Sequence, residues 1–140
     1  MKLVLDASVA LAWLFARADL DEANTADLAL RALADLDPVV PWLWHAEIAN
    51  ALLVAERRGA VTEARTADYL GRLGRLPLST DDVPVQDRRE GVMALARRHG
   101  LTAHHAIYLD LALRHGASLA TLDRRLAAAM RDAGGKVLGE

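Results

Sequence analysis

Apolar residues first cluster at Leu3-Val4-Leu5, an unbroken run that suits a strand buried on both faces. Asp6 ends the run, and Ser8 is placed to cap a helix through Val9, Leu11, Ala12, Leu14 and Phe15. A strand that ends in a carboxylate and turns straight into a helix opens a βα unit. Helical spacing returns from Leu20 to Leu36, and Asp37-Pro38 should break it. Proline removes a donor and disfavours helix in the residue before it. Pro38-Val39-Val40-Pro41 reads as a very short strand. Leu43, Ile48, Ala51, Leu52 and Ala55 share one stripe of a helix from about Leu43 to Arg58, which Gly59 stops. Thr62 can cap another helix that runs to about Leu73.

The second half continues the alternation. Leu76-Pro77-Leu78-Ser79 is a candidate strand, and Asp81 to Asp87 an acidic, proline-containing loop. Helices are expected over Arg88 to His99 and Ala103 to Arg114, closed by Gly100 and Gly116, with Thr102 as the cap of the second. A strand at Ser118 to Thr121, a helix from Arg124 to Arg131 and a tail strand at Lys136-Val137-Leu138 complete the chain. Strands alternating with helices give an α/β class with a mainly parallel central sheet of about five short strands and helices on both faces. At 140 residues the chain is the size of one domain, 1–140. Ligands of such sheets bind beyond the carboxyl ends of the strands, so Asp6 and Asp123 should face one crevice.

Composition narrows the chemistry. Hydrophobic residues make up 53 %, which argues against disorder. There is no cysteine, which excludes disulfides, thiolate zinc sites, iron–sulfur clusters and a cysteine nucleophile. Aromatics are 4 %, too few for a base-stacking platform. No apolar run is long enough for a membrane span, and Leu3 to Phe15 lacks a basic leader, so a cytoplasmic location is expected. The net charge of −2 hides an asymmetry: residues 1–70 hold eleven acidic and six basic residues, and residues 71–140 hold eight and eleven. Phosphate loops of the G-x-x-x-x-G-K type, dinucleotide-binding glycine fingerprints and nucleophile elbows are all missing.

Three carboxylates stand out. Asp6 and Asp123 each follow a strand, where helix capping is an equally ordinary role. Glu47 sits near the start of an otherwise apolar helix; favour from the helix dipole is its plainer explanation. Asn50, one turn on, could orient it, and Thr121 could support Asp123. Carboxylates converging from distant points suggest a divalent cation, because hard cations take oxygen ligands and relieve the mutual repulsion. The five histidines lack zinc spacing; His99 and His115 suit helix ends, while the adjacent His104 and His105 open a helix.

Four segments together resemble the PIN-domain ribonucleases, and most of all the VapC toxins of type II toxin–antitoxin modules. They are Leu3-Val4-Leu5-Asp6-Ala7-Ser8-Val9, Pro41 through Glu47-Ile48-Ala49-Asn50-Ala51-Leu52, Leu101-Thr102-Ala103-His104-His105-Ala106-Ile107-Tyr108-Leu109, and Leu119-Ala120-Thr121-Leu122-Asp123-Arg124-Arg125-Leu126. The resemblance implies an endoribonuclease dependent on Mg²⁺ or Mn²⁺, neutralised by a VapB-like antitoxin and expected as a homodimer. It implies that Asp6, Glu47 and Asp123 gather the metal, with Ser8, Asn50 and Thr121 in support. The third segment departs from the pattern: His105 stands where a metal-binding Asp is expected. Imidazole suits Mn²⁺ better than Mg²⁺. His105 is then a ligand, a contact to phosphate or water, or the mark of a degenerate domain that binds RNA or a partner without cutting. Asp110, about 140° further round the helix, is not an obvious substitute. Arg88, Arg89, Arg97, Arg98, Arg124 and Arg125 are candidates to hold an RNA backbone, against the plain reading of solvated helix faces. Trp13, Phe15, Trp42 and Trp44 belong by default to the core, or else to a groove for an antitoxin segment.

Overall fold

The computed structural model describes all residues, Met1–Glu140. Five strands form one sheet: β1 (Lys2–Leu5), β2 (Asp37–Val40), β3 (Ser79–Thr80), β4 (Ser118–Ala120) and β5 (Lys136–Val137). Every pairing is parallel, and the order is β3-β2-β1-β4-β5. Leu3, Val4 and Leu5 of β1 are fully buried at its centre, as an uninterrupted apolar run requires.

Seven helices flank the sheet: α1 (Ala7–Ala12), α2 (Leu20–Ala32), α3 (Trp42–Arg57), α4 (Glu63–Leu73), α5 (Val85–His99), α6 (Ala103–His115) and α7 (Arg124–Asp132). Right-handed crossovers from β1 outward to β3 put α1 to α4 on one face; the return to β4 and on to β5 puts α5 to α7 on the other. The packing agrees, with α1 against α2 and α3, and α6 against α5 and α7. The strand order reverses between β1 and β4, so the crevice at their carboxyl ends is the fold's natural ligand position. No helix is long and apolar enough to cross a membrane.

Several boundaries differ from the sequence reading, each for a local reason. The strand expected at Pro38-Val39-Val40-Pro41 forms one residue earlier, as Asp37–Val40, and Pro41 becomes the N-cap of α3. β3 pairs only with Val39 and Val40, so Pro38 has no partner there to disappoint. Leu76 to Leu78 is a turn, with Leu76 N–H on Leu73 and Leu78 N–H on Leu76, and the strand forms at Ser79–Thr80 instead. α5 starts at Val85, with Pro84 supplying the fixed φ of its cap and no amide to satisfy. α1 and α2 stop early, at Ala12 and Ala32, and the apolar residues beyond them pack as turns. Gly100 and Gly116 close α5 and α6 in the left-handed conformation, φ 65° and 58°, as expected. Of the aromatics, Trp44 is core, Trp13 bonds its indole N–H to Ala26 carbonyl across α1 and α2, and Trp42 is 69 % exposed.

Candidate active site

Asp6 leaves β1 at the switch point and stays 4 % exposed. It occupies the N-cap position of α1, yet its side chain makes no capping bond. Instead Oδ2 accepts from the Ser8 hydroxyl (2.8 Å) and the Thr121 hydroxyl (2.6 Å). Ser8 is therefore not a helix cap. It lies in the first turn of α1, and its oxygen accepts from Leu122 N–H at 3.2 Å. Thr121 likewise accepts from Asp123 N–H at 3.0 Å. The two hydroxyls thus tie the loop after β4 to the carboxylate after β1.

Asp123 does cap a helix: its Oδ1 accepts from Leu126 N–H at 2.9 Å at the start of α7. The same oxygen lies 3.9 Å from His105 Nδ1. Glu47, on α3, accepts at Oε1 from the hydroxyl of Tyr108 on α6, at 2.5 Å. That bond joins helices from opposite faces of the sheet. Tyr108 is fully buried and is the functional neighbour that residue patterns did not single out. Burial holds the Glu47 carboxyl above its usual range, and the Asp6 charge adds to the rise; the Tyr108 bond and the two nearby imidazoles oppose it. Burial and Glu47 together push the Tyr108 phenol far up, so it stays a donor.

Asp6, Ser8, Glu47, Asn50, His105 and Asp123 all line one open cavity of about 560 Å³. Asn50 makes no hydrogen bond to Glu47; the tyrosine orients it instead. Thr121 lines a neighbouring cavity that shares Asp123 and includes Arg124. Arg88 and Arg89 do not reach the central cavity. They flank an apolar groove beside Trp42, and Arg88 is bonded to Asp110. Asp110 itself is buried and accepts from Arg88 and Arg114, away from the cavity, in line with its helical offset from His105. Two lining residues escaped the sequence reading, Arg17 and Glu22. Neither has any pattern around it that marks a site.

The chemistry of this lining is oxygen-rich. Asp6 Oδ1, Glu47 Oε2 and Asp123 Oδ2 carry no hydrogen bond, while the other oxygen of each is held by a protein donor. Three such carboxylates and an imidazole are a donor set that could hold Mg²⁺ or Mn²⁺. No three His, Asp or Glu side chains are drawn together tightly enough to grip an ion as they lie. The donors suit such a cation in kind and line one cavity, and they are not gathered on a single point as they lie.

No family model matches the chain. Among solved structures, PAE2754 from Pyrobaculum aerophilum superimposes with a TM-score of 0.66 at 26 % identity, covering 92 % of this chain and 84 % of that one. The curated Ribonuclease VapC3 of the same organism is 33 % identical over 127 residues, 91 % of this chain and 93 % of the relative. An identity of that level across nearly the whole of both chains, on this sheet topology, makes this chain a member of the VapC ribonuclease family.

Proposed function

We propose that the chain is a divalent-metal-dependent endoribonuclease, the toxin of a type II toxin–antitoxin pair. The observation that carries this reading is the convergence of Asp6, Glu47 and Asp123 on one cavity at the switch point, each with an oxygen left free. Those three would hold Mg²⁺ or Mn²⁺, with His105 as a further ligand or a contact to phosphate. The cation would supply water activation and charge stabilisation at a phosphodiester. The chain's own groups do the rest. Ser8 and Thr121 hold the Asp6 carboxylate against rotation, and Tyr108 does the same for Glu47. Arg124, which opens α7 beside Asp123 and lines the neighbouring cavity, would meet an RNA backbone there, with Arg125 next to it in the same helix turn. An antitoxin is the expected partner, and the groove lined by Trp13, Leu14, Leu30, Tyr69 and Leu73 offers it an apolar seat. A homodimer remains part of the proposal on family grounds.

The test is incubation of structured RNA with the purified chain in Mn²⁺ and in Mg²⁺. Cleavage that Asp6→Asn abolishes is expected. No cleavage in either metal, at a protein concentration where RNA binds, would sink the enzyme reading. It would favour the second one, an RNA- or partner-binding PIN domain without activity, for which His105 and the ungathered donors are the argument.

A further inference from the structure

Four carboxylates line the central cavity, Asp6, Glu22, Glu47 and Asp123, and Arg17 is the one Lys or Arg among its lining residues. An RNA phosphate that enters this cavity meets net negative charge. A guanidinium there is the obvious group to receive it, because its fork matches phosphate oxygens.

Arg17 sits in the loop between α1 and α2, and its side chain is 45 % exposed. Its Nε (2.9 Å) and one terminal nitrogen (2.6 Å) both donate to a single oxygen of Glu22, Oε2. The other terminal nitrogen has no hydrogen-bond partner, and neither has Glu22 Oε1. Glu22 is itself displaced from its usual local duty. Asp19 caps α2 by accepting from Glu22 N–H, which is half of a reciprocal capping box. In the full box, Glu22 would turn back to the Asp19 amide; here its carboxylate goes to Arg17. An ion pair this exposed is weak, so a phosphate can compete for the guanidinium.

We propose that Arg17 is a substrate-binding residue that takes a backbone phosphate of the RNA, and that Glu22 holds it in reserve until the phosphate displaces the carboxylate. The proposal rests on the nuclease reading for its ligand, and it assigns the cavity a specific cationic contact. It predicts that the two partners of one ion pair act in opposite directions. Arg17→Gln removes the phosphate contact and weakens binding. Glu22→Gln releases Arg17 and strengthens it. A pair that only staples the loop to α2 predicts the same direction for both.

The experiment is fluorescence anisotropy of a labelled single-stranded RNA oligonucleotide against the full chain in EDTA, where a metal-dependent nuclease does not cut. Cleavage kinetics in Mn²⁺ are measured in parallel. Arg17→Gln is expected to weaken binding about tenfold and raise KM with kcat little changed. Arg17→Lys should restore part of the loss, and Glu22→Gln should tighten binding a few-fold. The gain from Glu22→Gln should vanish in the Arg17→Gln background, since it acts through Arg17 and not through bulk charge. Unchanged binding in Arg17→Gln, weaker binding in Glu22→Gln, or a gain that survives in the double variant would each overturn the proposal. Absence of cleavage by the unsubstituted chain bears on the nuclease reading alone, because the binding arms are read without turnover.

Discussion

Tyr108→Phe removes one oxygen from the interior and leaves the ring. The lost bond is the 2.5 Å donation from the phenol to Glu47 Oε1, between a fully buried donor and a partly buried carboxylate. A hydrogen bond to a charged group contributes about 1.5–3 kcal/mol when both ends are shielded. Glu47 keeps some contact with water, which can replace the phenol, so the expected cost falls to about 1–2 kcal/mol. For a chain of this length that is a fall in Tm of roughly 3–8 °C in metal-free buffer at neutral pH. The pH signature is sharper than the Tm. Burial and Asp6 already hold the Glu47 carboxyl above its ordinary range, and the Tyr108 bond is the largest influence pulling it back. Without that bond the carboxyl rises further. If ionised Glu47 serves the metal, the acid limb of kcat/KM against pH moves to higher pH. The Tm loss should shrink in acid, where Glu47 is protonated and the bond loses its charge assistance. Scanning fluorimetry and initial rates of RNA cleavage across pH 5–9 measure both. An unmoved acid limb with a uniform loss of rate would mean Tyr108 merely supports packing. An unchanged Tm as well would refute the bond as a stabilising contact.

Asp110→Ala should lower Tm by about 10 °C, because it takes the buried carboxylate away from Arg88, which has no other partner, and leaves Arg114 with Asp81 alone; roughly 3 kcal/mol, the low end for a broken buried pair, suits an Arg88 that is 36 % exposed. Cleavage well below Tm should be unaffected, and a selective loss of activity would instead make Asp110 part of the site. Glu47→Gln should raise Tm in metal-free buffer while abolishing cleavage, since it removes a carboxylate whose ionisation the fold opposes. A carboxyl raised in the folded state makes stability fall as pH climbs from its ordinary value to the raised one, so the gain should be full above that window and vanish below it. His105→Asp should shift preference from Mn²⁺ toward Mg²⁺ and His105→Ala should weaken Mn²⁺ binding by calorimetry; unchanged affinity in both removes His105 from the ligands.

The parts of the fold legible in sequence are those that one periodicity decides. β1 is an uninterrupted apolar run, and the helices closed by Gly100 and Gly116 end where those glycines stand. The parts that were not legible depend on neighbours. Leu76 and Leu78 look like a strand until the turn bonds around Pro77 are seen. The site divides the same way. Asp6 and Asp123 are placed by the strands that precede them, so the rule for parallel sheets brings them to one cavity. Tyr108 was hidden inside an apolar helix face, where an aromatic is ordinary. Arg17 and Glu22 come from a loop and a helix start that only tertiary folding turns toward the others.

Acidic side chains alone do not separate structure from chemistry here, but the way their oxygens are used does. Asp110 is as buried as Asp6, and both of its oxygens are consumed by Arg88 and Arg114. Its charge is neutralised within the protein, and it has nothing left to offer a ligand. Asp6 is held by hydroxyls, Glu47 by a phenol and Asp123 by an amide. These donors fix an orientation without cancelling a full charge, and each leaves one oxygen unbonded. Such an arrangement buries carboxylate charge and keeps like charges close, and the raised Glu47 carboxyl registers the burial first and the Asp6 charge second. A fold under no other demand would relieve that repulsion with arginine, as this one does a few turns away around Asp110. Neutral donors at the cavity and guanidiniums at Asp110 are therefore the physical grounds for the proposal that the first set serves a cation, and for leaving Asp110 to the scaffold.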